Sequence, residues 1–309
     1  MVPSPTVGMA ACLAAALAWA VAVGWFRRPI ATWGPWTVNL AKCTMAMVLL
    51  AVTVWAVGQG PVLLAAPPVA VGWIALSGLL GMTLGDTALF AAVPLLGAYR
   101  TLLWQTVNPL FTALWAGWLF GERWTLHQGI GGATVLVGIT LVVSTRAPHA
   151  RTGGGSRPLP AVAGAAVAGT ALALLAAFGQ GTGVALAKVG MESVPFLSAA
   201  LVRLATAVLG LLAVLAVRGK LLASLRTLVS PTAWKELAAP SFLGTYLAIL
   251  LMMAGIAGSP AALAAVLLST SPVFSLLLEA REQRVVPSPR AIAGTLLAIG
   301  GVGWMSWGG

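Results

Sequence analysis

An acidic residue lies inside an apolar segment, where an ionised carboxylate is costly. Asp86 stands about seven residues before the end of the apolar run 69–93, which is roughly 10 Å if the run is helical. Such an acid is either held ionised by a cation or neutralised, in which case it can carry a proton. Arg100 begins the next apolar run, and we expect it to reach Asp86. The pair would either hold two helices together or act on a proton or substrate, and the sequence leaves both interpretations open.

Polar and aromatic side chains follow along the next apolar run. Five of them recur at spacings of four, four, three and four, which places them on one helical face: Arg100, Trp104, Asn108, Phe111 and Trp115. Gln105 and Thr112 flank this face. We expect it to line a binding cavity, with Asn108 and Gln105 as hydrogen-bonding groups and the tryptophans as an apolar wall. Alternatively, the tryptophans fill gaps between helices or lie in interfacial belts.

Two prolines are expected to interrupt helices at matching places. Pro109 and Pro272 lie within apolar runs, and proline lacks the N–H that a helix requires, so each frees a backbone carbonyl. We therefore predict hinges or exposed carbonyls beside Asn108 and Ser271. The alternative is a simple adjustment of helix shape.

Four further polar side chains lie in apolar runs. Gln180, within the glycine-rich stretch 179–183, and Tyr246 are both candidates to reach a central cavity. Lys42 and Arg203 each stand about one turn inside the start of a predicted helix. The default interpretation is that their long side chains extend to the membrane surface. Binding of anionic groups is the alternative.

The elements that carry these residues are predicted to lie in a bilayer. Of the 309 residues, 60% are hydrophobic and 7% charged, whereas about a quarter are charged in soluble domains. A membrane-spanning helix needs about 20 apolar residues. Ten runs meet this requirement: 9–26, 37–57, 69–93, 97–120, 128–144, 161–187, 196–217, 237–256, 260–278 and 291–307. The predicted fold is an all-α membrane protein with ten transmembrane helices.

Composition and missing motifs exclude several classes of function. The formal net charge of +11 would suggest nucleic acid in a soluble protein, but these charges lie at the ends of apolar runs, so no nucleic acid is expected. Cys12 and Cys43 have no CxxC spacing and no nearby histidine, which indicates neither a disulfide nor a metal site. P-loop, HExxH and GxSxG motifs are missing. We expect no catalytic activity, no cofactor and no metal.

The sequence repeats itself after 161 to 163 residues. The matched positions are Lys42 with Arg203, residues 108–111 with 271–274, and Gly81 with Gly244. Each half holds five apolar runs, an odd number, so the second half should cross the membrane in the opposite sense, as in many secondary transporters with a substrate site between the halves. The predicted domains are a first five-helix repeat at 1–144, a flexible linker at 145–160 and a second five-helix repeat at 161–309.

Several motifs resemble those of the EamA-type family of the drug/metabolite transporter superfamily. They are Gly85-Asp86, Leu96-Gly97-Ala98-Tyr99-Arg100, Asn108-Pro109-Leu110-Phe111, Gly121-Glu122-Arg123 and Gly131-Gly132. The resemblance covers nearly the whole chain. It implies ten helices and movement of small metabolites, commonly outward, driven by protons or by the solute gradient. The second half departs from the pattern, because the charged cluster 279–284 stands where a Gly-Glu pair is expected.

We therefore expect a secondary transporter of the inner or plasma membrane that exports amino acids, drugs or similar small metabolites by alternating access. Its partners would be a small-molecule substrate, the lipid bilayer and, as a candidate coupling ion, protons; the oligomeric state is left open. Alternatives are transport of phosphorylated or lipid-linked sugars and a non-transporting membrane scaffold. Twelve basic residues follow the odd-numbered runs and two follow the even-numbered ones, which predicts that both termini lie outside the cytoplasm.

Overall fold

The computed structural model describes residues 5–120, 126–143, 160–258, 267–284 and 286–307. In these ranges the chain forms helices joined by turns, with no β-strand. Three predicted features lie wholly or almost wholly outside the described residues. They are the linker 145–160, the motif Gly121-Glu122-Arg123 and the start of the ninth apolar run.

The first half contains six helical elements, of which two are composite and a third is kinked. They are α1 (Pro5–Trp25), α2 (Arg27–Ala56), the short α3 (Gly60–Leu64), α4, α5 and α6 (Leu126–Val143). Helix α2 is kinked at Gly34, whose φ of 79° and ψ of 160° are not helical. Helix α4 consists of Pro68–Ser77, a π-helical segment Gly78–Gly85 and Asp86–Leu96. Helix α5 consists of Ala98–Trp104, a 3-10 turn Gln105–Val107 and Asn108–Phe120.

The second half repeats this order of elements. They are α7 (Pro160–Met191), α8 (Phe196–Val217), the short α9 (Leu221–Leu228), α10, α11 (Ser271–Gln283) and α12 (Pro289–Trp307). Helix α10 is composite in the same way as α4, with Pro231–Ser241, a π-helical segment Phe242–Leu247 and Ala248–Gly258.

Equivalent turns and helix starts recur at the spacing of the sequence repeat. Helices α4 and α10 begin at Pro68 and Pro231, 163 residues apart, because proline suits the first helical turn. The turns after α2 and α8 use Gly58 and Gly219, 161 residues apart, with φ angles of 74° and 65°. Only glycine adopts this backbone region readily. The repeat seen in the sequence is therefore also a repeat of local structure.

Among the described residues, six helices are long and apolar enough to cross a membrane. They are Thr6–Trp25, Arg27–Ala56, Pro68–Leu96, Gly164–Met191, Phe196–Val217 and Pro231–Gly255. Large apolar side chains such as Val52 and Leu209, each 65% exposed, cover their outer surface, as expected for helices that face lipid tails. The other four predicted spans correspond to α5, α6, α11 and α12, which are shorter, interrupted or bordered by residues outside the description.

Each long helix of the first half packs against a helix of the second half. The pairs are α1 with α10, α2 with α8, α4 with α7, α5 with α11, and α6 with α12. The two halves are therefore interleaved along their whole length.

The backbones of α6 and α12 approach each other closely. An added Cβ at Gly138 would lie 2.5 Å from the Gly294 carbonyl oxygen, and one at Gly294 would lie 2.6 Å from the Gly138 oxygen. Such an approach requires residues without side chains.

Candidate functional site

A cavity of about 460 Å³ lies between the two halves. Its wall comes from α1, α2, α4 and α5 of the first half and from α7, α8, α10 and the start of α11 of the second. The polar residues in this wall are Lys42, Asp86, Gln105, Thr106, Asn108, Gln180, Arg203, Thr245, Ser269 and Ser271. Its size falls within the usual range for sites that bind small molecules.

Four interrupted helices surround the cavity. The π-helical segments of α4 and α10 contribute Gly81 and Gly244 to its wall. In α5 and α11, the α-helix is broken just before Pro109 and Pro272, both of which also line the cavity. Because π-helical and broken segments leave some backbone groups outside the regular hydrogen-bond pattern, the irregular backbone is concentrated where a polar cavity can tolerate it.

Asp86 forms the centre of a buried polar cluster in this cavity. Its side chain follows directly on the π-helical segment of α4 and is almost completely buried. One carboxylate oxygen accepts a hydrogen bond from the Lys42 ammonium. The other accepts one from Gln180 Nε2 at 2.8 Å. Both oxygens of Asp86 are therefore occupied by donors from α2 and α7.

Lys42 is held by aromatic rings as well as by the carboxylate. Its Nζ lies 5.1 Å from the ring centre of Phe90 and 5.7 Å from that of Trp19, which are distances typical of cation–π contacts. The residue is only 1% exposed. The expectation that Lys42 extends to the membrane surface is wrong, because α2 packs against α4 at the level of Asp86 and a counter-ion lies within reach.

Asp86 pairs with Lys42 and not with Arg100, the partner that the sequence suggested. Arg100 lies outside the cavity wall, and α4 continues for ten residues beyond Asp86 before Gly97 turns the chain into α5. That length corresponds to about 15 Å of helix. Lys42, on a different helix, takes the place expected for Arg100.

Arg203, on α8, is the second cation in the cavity wall. A Cβ added to Gly81 would lie 3.2 Å from its Nη2 atom, so the guanidinium lies against the π-helical segment of α4. Its Nε atom is buried and has no hydrogen-bond partner among the described residues. The Gln105 Nε2 atom is also buried and has no hydrogen-bond partner among the described residues. Arg203 was likewise expected at the membrane surface and is found in the cavity wall instead.

The other residues predicted to bind substrate divide into two groups. The cavity wall includes Asp86, Gln105, Asn108, Gln180 and Ser271, together with both predicted hinge prolines. The Asn108 amide lies 3.4 Å from Gln180 Oε1, which extends the polar cluster around Asp86.

The second group lies outside the cavity wall, and most of its members connect helices. Thr112 Oγ1 donates to the Gly181 carbonyl at 3.2 Å, and Trp115 Nε1 donates to Thr182 Oγ1 at 2.7 Å, so both join α5 to α7. The Tyr246 and Thr53 hydroxyl groups are 2.8 Å apart and join α10 to α2. Trp104 packs with the buried cluster formed by α5, α6 and α12.

The glycine-rich stretch around Gln180 serves close packing, and α7 remains helical throughout it. A Cβ on Gly183 would lie 2.9 Å from Gly81 Cα, and one on Gly181 would lie 2.7 Å from the Asn108 carbonyl oxygen. The missing side chains allow α7 to approach α4 and α5, and this approach brings Gln180 to Asp86.

Charged residues at the ends of the helices connect the two halves. Glu279 Oε1 accepts a hydrogen bond from the Tyr99 backbone N–H at 3.0 Å and so satisfies a free donor at the start of α5. Arg27 pairs with Glu282 at 3.6 Å. These carboxylates lie outside the main cavity wall.

Sequence reasoning favoured the membrane surface for Lys42 and Arg203, gave anion binding only as the alternative, and did not single out the ring of Trp19. A usable signal was present for the two cations. They are matched positions of the repeat, and a cation in an apolar run is a candidate for function by default.

Comparison with known families decides the relationship of this chain. Its sequence matches the EamA-like transporter family over residues 6–144 and 167–307. The chain belongs to this family. An EamA-like transporter is a multi-pass membrane protein with a small-molecule substrate, and the six apolar helices agree with that placement. Within the described residues, no group of three His, Cys, Asp or Glu side chains is arranged to hold a metal ion.

Comparison with solved structures supports the same fold. One structure, titled only as the crystal structure of a protein, aligns with a TM-score of 0.61 and 21% identity over 97% of this chain and 96% of its own. This EamA-like chain matches no curated protein. At that level of identity, the structural match shows a shared fold and leaves the substrate to be argued from the cavity.

Proposed function

We propose that this EamA-like protein is a secondary transporter that moves a small metabolite by alternating access between two inverted five-helix halves. The observation that carries this proposal is the polar cavity of about 460 Å³ lined by interrupted helices of both halves. Transporters built from inverted repeats typically bind substrate at the interface of the repeats, next to broken helices. The ten spans would be α1, α2, α4, α5 and α6 with their equivalents α7, α8, α10, α11 and α12.

The pairing of helices supports a two-fold relation between the halves. Helix α1 packs on α10. In the repeat, α7 is the equivalent of α1 and α4 is the equivalent of α10, and α7 packs on α4 in the same way. The pairs α2–α8, α5–α11 and α6–α12 each join a helix to its own equivalent. A two-fold axis through the cavity produces this pattern, and five helices in each half give that axis the orientation of an inverted repeat.

The Lys42–Asp86 pair is the proposed site of proton coupling. Protonation of Asp86 would remove the charge that holds Lys42, and a ligand or proton shifts a conformational equilibrium through such a difference between states. The breaks before Pro109 and Pro272 are the proposed hinges. We place the protein in the inner or plasma membrane and propose export of amino acids, drugs or similar small metabolites, the direction resting on the family resemblance.

Reconstituted protein tests this proposal. Purified protein in liposomes with a trapped pH-sensitive dye is given amino acids, aromatic acids and cationic drugs in turn, and proton movement is recorded. Transport coupled to protons produces a dye signal with at least one solute. The Asp86→Asn variant is expected to lose that signal and to remain monodisperse, although less stable. Glu282→Gln is the matched control, since Glu282 is exposed and pairs with Arg27 outside the cavity wall.

Each result separates the alternatives. Proton-coupled transport retained at the wild-type rate in Asp86→Asn would remove Asp86 from the coupling step. Loss of folded Asp86→Asn protein would show that the pair only joins α2 to α4. If no solute produces either a dye signal or uptake of labelled solute, the protein is a non-transporting scaffold.

A further inference from the structure

The charges in the cavity wall do not balance. Within the part of the chain that the structure describes, three charged side chains line the cavity, namely Lys42, Asp86 and Arg203. Lys42 and Asp86 neutralise each other in their ion pair. No carboxylate of the described residues lies within the 4.0 Å salt-bridge limit of the Arg203 guanidinium. The wall therefore carries one positive charge that is not compensated by its own residues, and buried charges are normally paired.

Hydrogen-bonding capacity is unbalanced in the same direction. The Arg203 Nε and Gln105 Nε2 atoms are buried N–H donors without partners among the described residues, and both residues line the cavity. Buried donors in native proteins are nearly always satisfied. The acceptor oxygens of Asp86 are already bonded to Lys42 and Gln180. The site thus offers a ligand the N–H donors of Arg203 and Gln105 and the hydroxyl of Thr245, which is also unpaired among the described residues, whereas both oxygens of Asp86 are occupied.

Much of the remaining wall is apolar, and its other polar side chains, Thr106, Asn108, Thr245, Ser269 and Ser271, carry no charge. The apolar part includes Trp19, Phe196, Ile249, Met252 and Leu268. A ligand that fills this volume needs little further polarity, because apolar walls favour apolar surface.

From these observations we infer that the substrate of this EamA-like protein is a small organic acid with one anionic group, a carboxylate, bound by Arg203 with Gln105 beside it, and with an apolar body. This inference rests on the proposed transport function and names the substrate class of the same cavity. A guanidinium binds a carboxylate through two parallel N–H donors, which fixes its orientation. A dianion such as a phosphate monoester fits less well, because its second charge exceeds the single positive charge and lies in the same cavity as Asp86.

Two sets of ligands, each with an acid and an amine on the same hydrocarbon body, test the charge requirement. The first set is phenylalanine, 3-phenylpropionate, phenethylamine and phenyl phosphate. The second is leucine, 4-methylpentanoate and 3-methylbutylamine. Each is added at millimolar concentration to the purified wild-type protein in detergent, and the thermal unfolding midpoint is measured, since a ligand that binds the native state raises it.

Carboxylate-bearing members of at least one set are expected to raise the midpoint, whereas the amine of the same set leaves it unchanged. Phenyl phosphate is expected to bind more weakly than 3-phenylpropionate. Equal stabilisation by the amine and the acid overturns the inference, as does the lack of any shift with all four carboxylates. Stabilisation by the free amino acids alone, without their deaminated forms, overturns the assignment to acids with a single charged group.

Arg203 variants locate the binding group. Arg203→Gln is expected to weaken binding of the stabilising carboxylate at least about tenfold, the scale of a hydrogen bond to a charged group. Arg203→Lys keeps the charge but lacks the planar fork and should recover part of the affinity. Arg218→Gln is the control, because Arg218 lies at the exposed end of the same helix and stacks on Trp36. Unchanged affinity in Arg203→Gln would overturn the assignment.

The two proposals fail separately. Uptake into liposomes of a cationic or neutral solute, with no uptake of any acid, would refute the anion inference and leave transport intact. Binding of the acids without movement of any solute across the membrane would refute transport and leave the binding site.

Discussion

Lys42 and Asp86 show how a membrane protein holds opposite charges within its apolar interior. The pair is buried on α2 and α4, and Gln180 together with the rings of Trp19 and Phe90 completes its surroundings. Removing one member of such a pair leaves an uncompensated buried charge, whereas removing both does not. The same cluster can therefore contribute to stability and to coupling.

A double-mutant cycle measures this contribution at the residue scale. Lys42→Met is expected to destabilise the protein by about 3–5 kcal/mol because Asp86 loses its counter-ion. Adding Asp86→Asn to that variant should restore part of the stability, since no ionised carboxylate remains. Thermal unfolding in detergent measures both variants and each single change. Losses that simply add would contradict the pairing.

Sequence patterns identified several cavity residues but not their partners. A polar side chain within an apolar run is a candidate for the cavity, and four residues found in this way line it: Asp86, Gln105, Asn108 and Gln180. Arg100 is the partner that the sequence suggests for Asp86, because the two residues are near each other in the chain. Contacts between α2 and α4 depend on tertiary packing, which single-sequence patterns do not contain, and so the pairing with Lys42 could not be foreseen.

Glycines determine how closely the helices approach. At the α6–α12 contact, backbone atoms of Gly138 and Gly294 occupy the space that side chains would need. Gly300, on the same helix as Gly294, has no atom within 4 Å of an added Cβ. The value of a glycine to this fold therefore depends on the atoms that face it and not on its place in a glycine-rich helix.

Alanine substitutions separate these two kinds of glycine. Gly138→Ala is expected to destabilise the protein by about 1–3 kcal/mol because the new methyl group would meet the Gly294 carbonyl. Gly300→Ala should be neutral or stabilise by about 0.5–1 kcal/mol, because alanine favours helix and the space is open. The thermal unfolding midpoints of the two variants measure this difference. Equal midpoints would contradict the close contact between Gly138 and Gly294.

Hinge function is tested by restoring the missing backbone donor. Pro109→Ala is expected to slow transport severalfold and to leave ligand binding nearly unchanged, because a regular helix would bend less readily at the break before Asn108. Flux into liposomes and the thermal shift with ligand measure the two effects. Pro289→Ala is the control, since Pro289 begins α12 and lies outside the cavity wall. Equal flux in both variants would exclude a hinge at Pro109.

At the scale of the molecule, the repeat relates surfaces that lie far apart in sequence. Ala65 and Arg226 stand 161 residues apart after the matched turns at Gly58 and Gly219, and both are exposed. An inverted repeat places such equivalent positions on opposite faces of the membrane. The excess of basic residues after the odd-numbered apolar runs predicts that Arg226 lies in the cytoplasm and Ala65 outside.

Cysteine labelling of intact cells tests this topology. Ala65→Cys is expected to react with a membrane-impermeant maleimide added from outside, and Arg226→Cys is expected to react only after the cells are opened. Reaction of both from outside would refute the inverted repeat. The reverse pattern would keep the repeat and refute the orientation.

The sequence predicted the repeat and the approximate bounds of most spans, because both depend on local composition and on self-similarity. It did not predict the π-helical segments of α4 and α10 or the short helical segment that precedes the kink at Gly34 in α2. Nothing in the local sequence distinguishes a π-helical turn from an α-helical one in a run such as Gly78–Gly85. Helix pairing across the halves was also beyond local patterns.

The interleaving of the halves has a consequence for biogenesis. Every long helix of the first half packs against a helix that is synthesised later. These helices therefore reach their final neighbours only after the second half has been made. Asp86 and Lys42 both belong to the first half. Because they neutralise each other, their pairing lowers the free-energy cost of holding these charges in an apolar environment before the second half is made. Arg203 belongs to the second half and forms no salt bridge with a carboxylate of the described residues, so its charge stays available for the proposed acidic substrate after the halves have assembled.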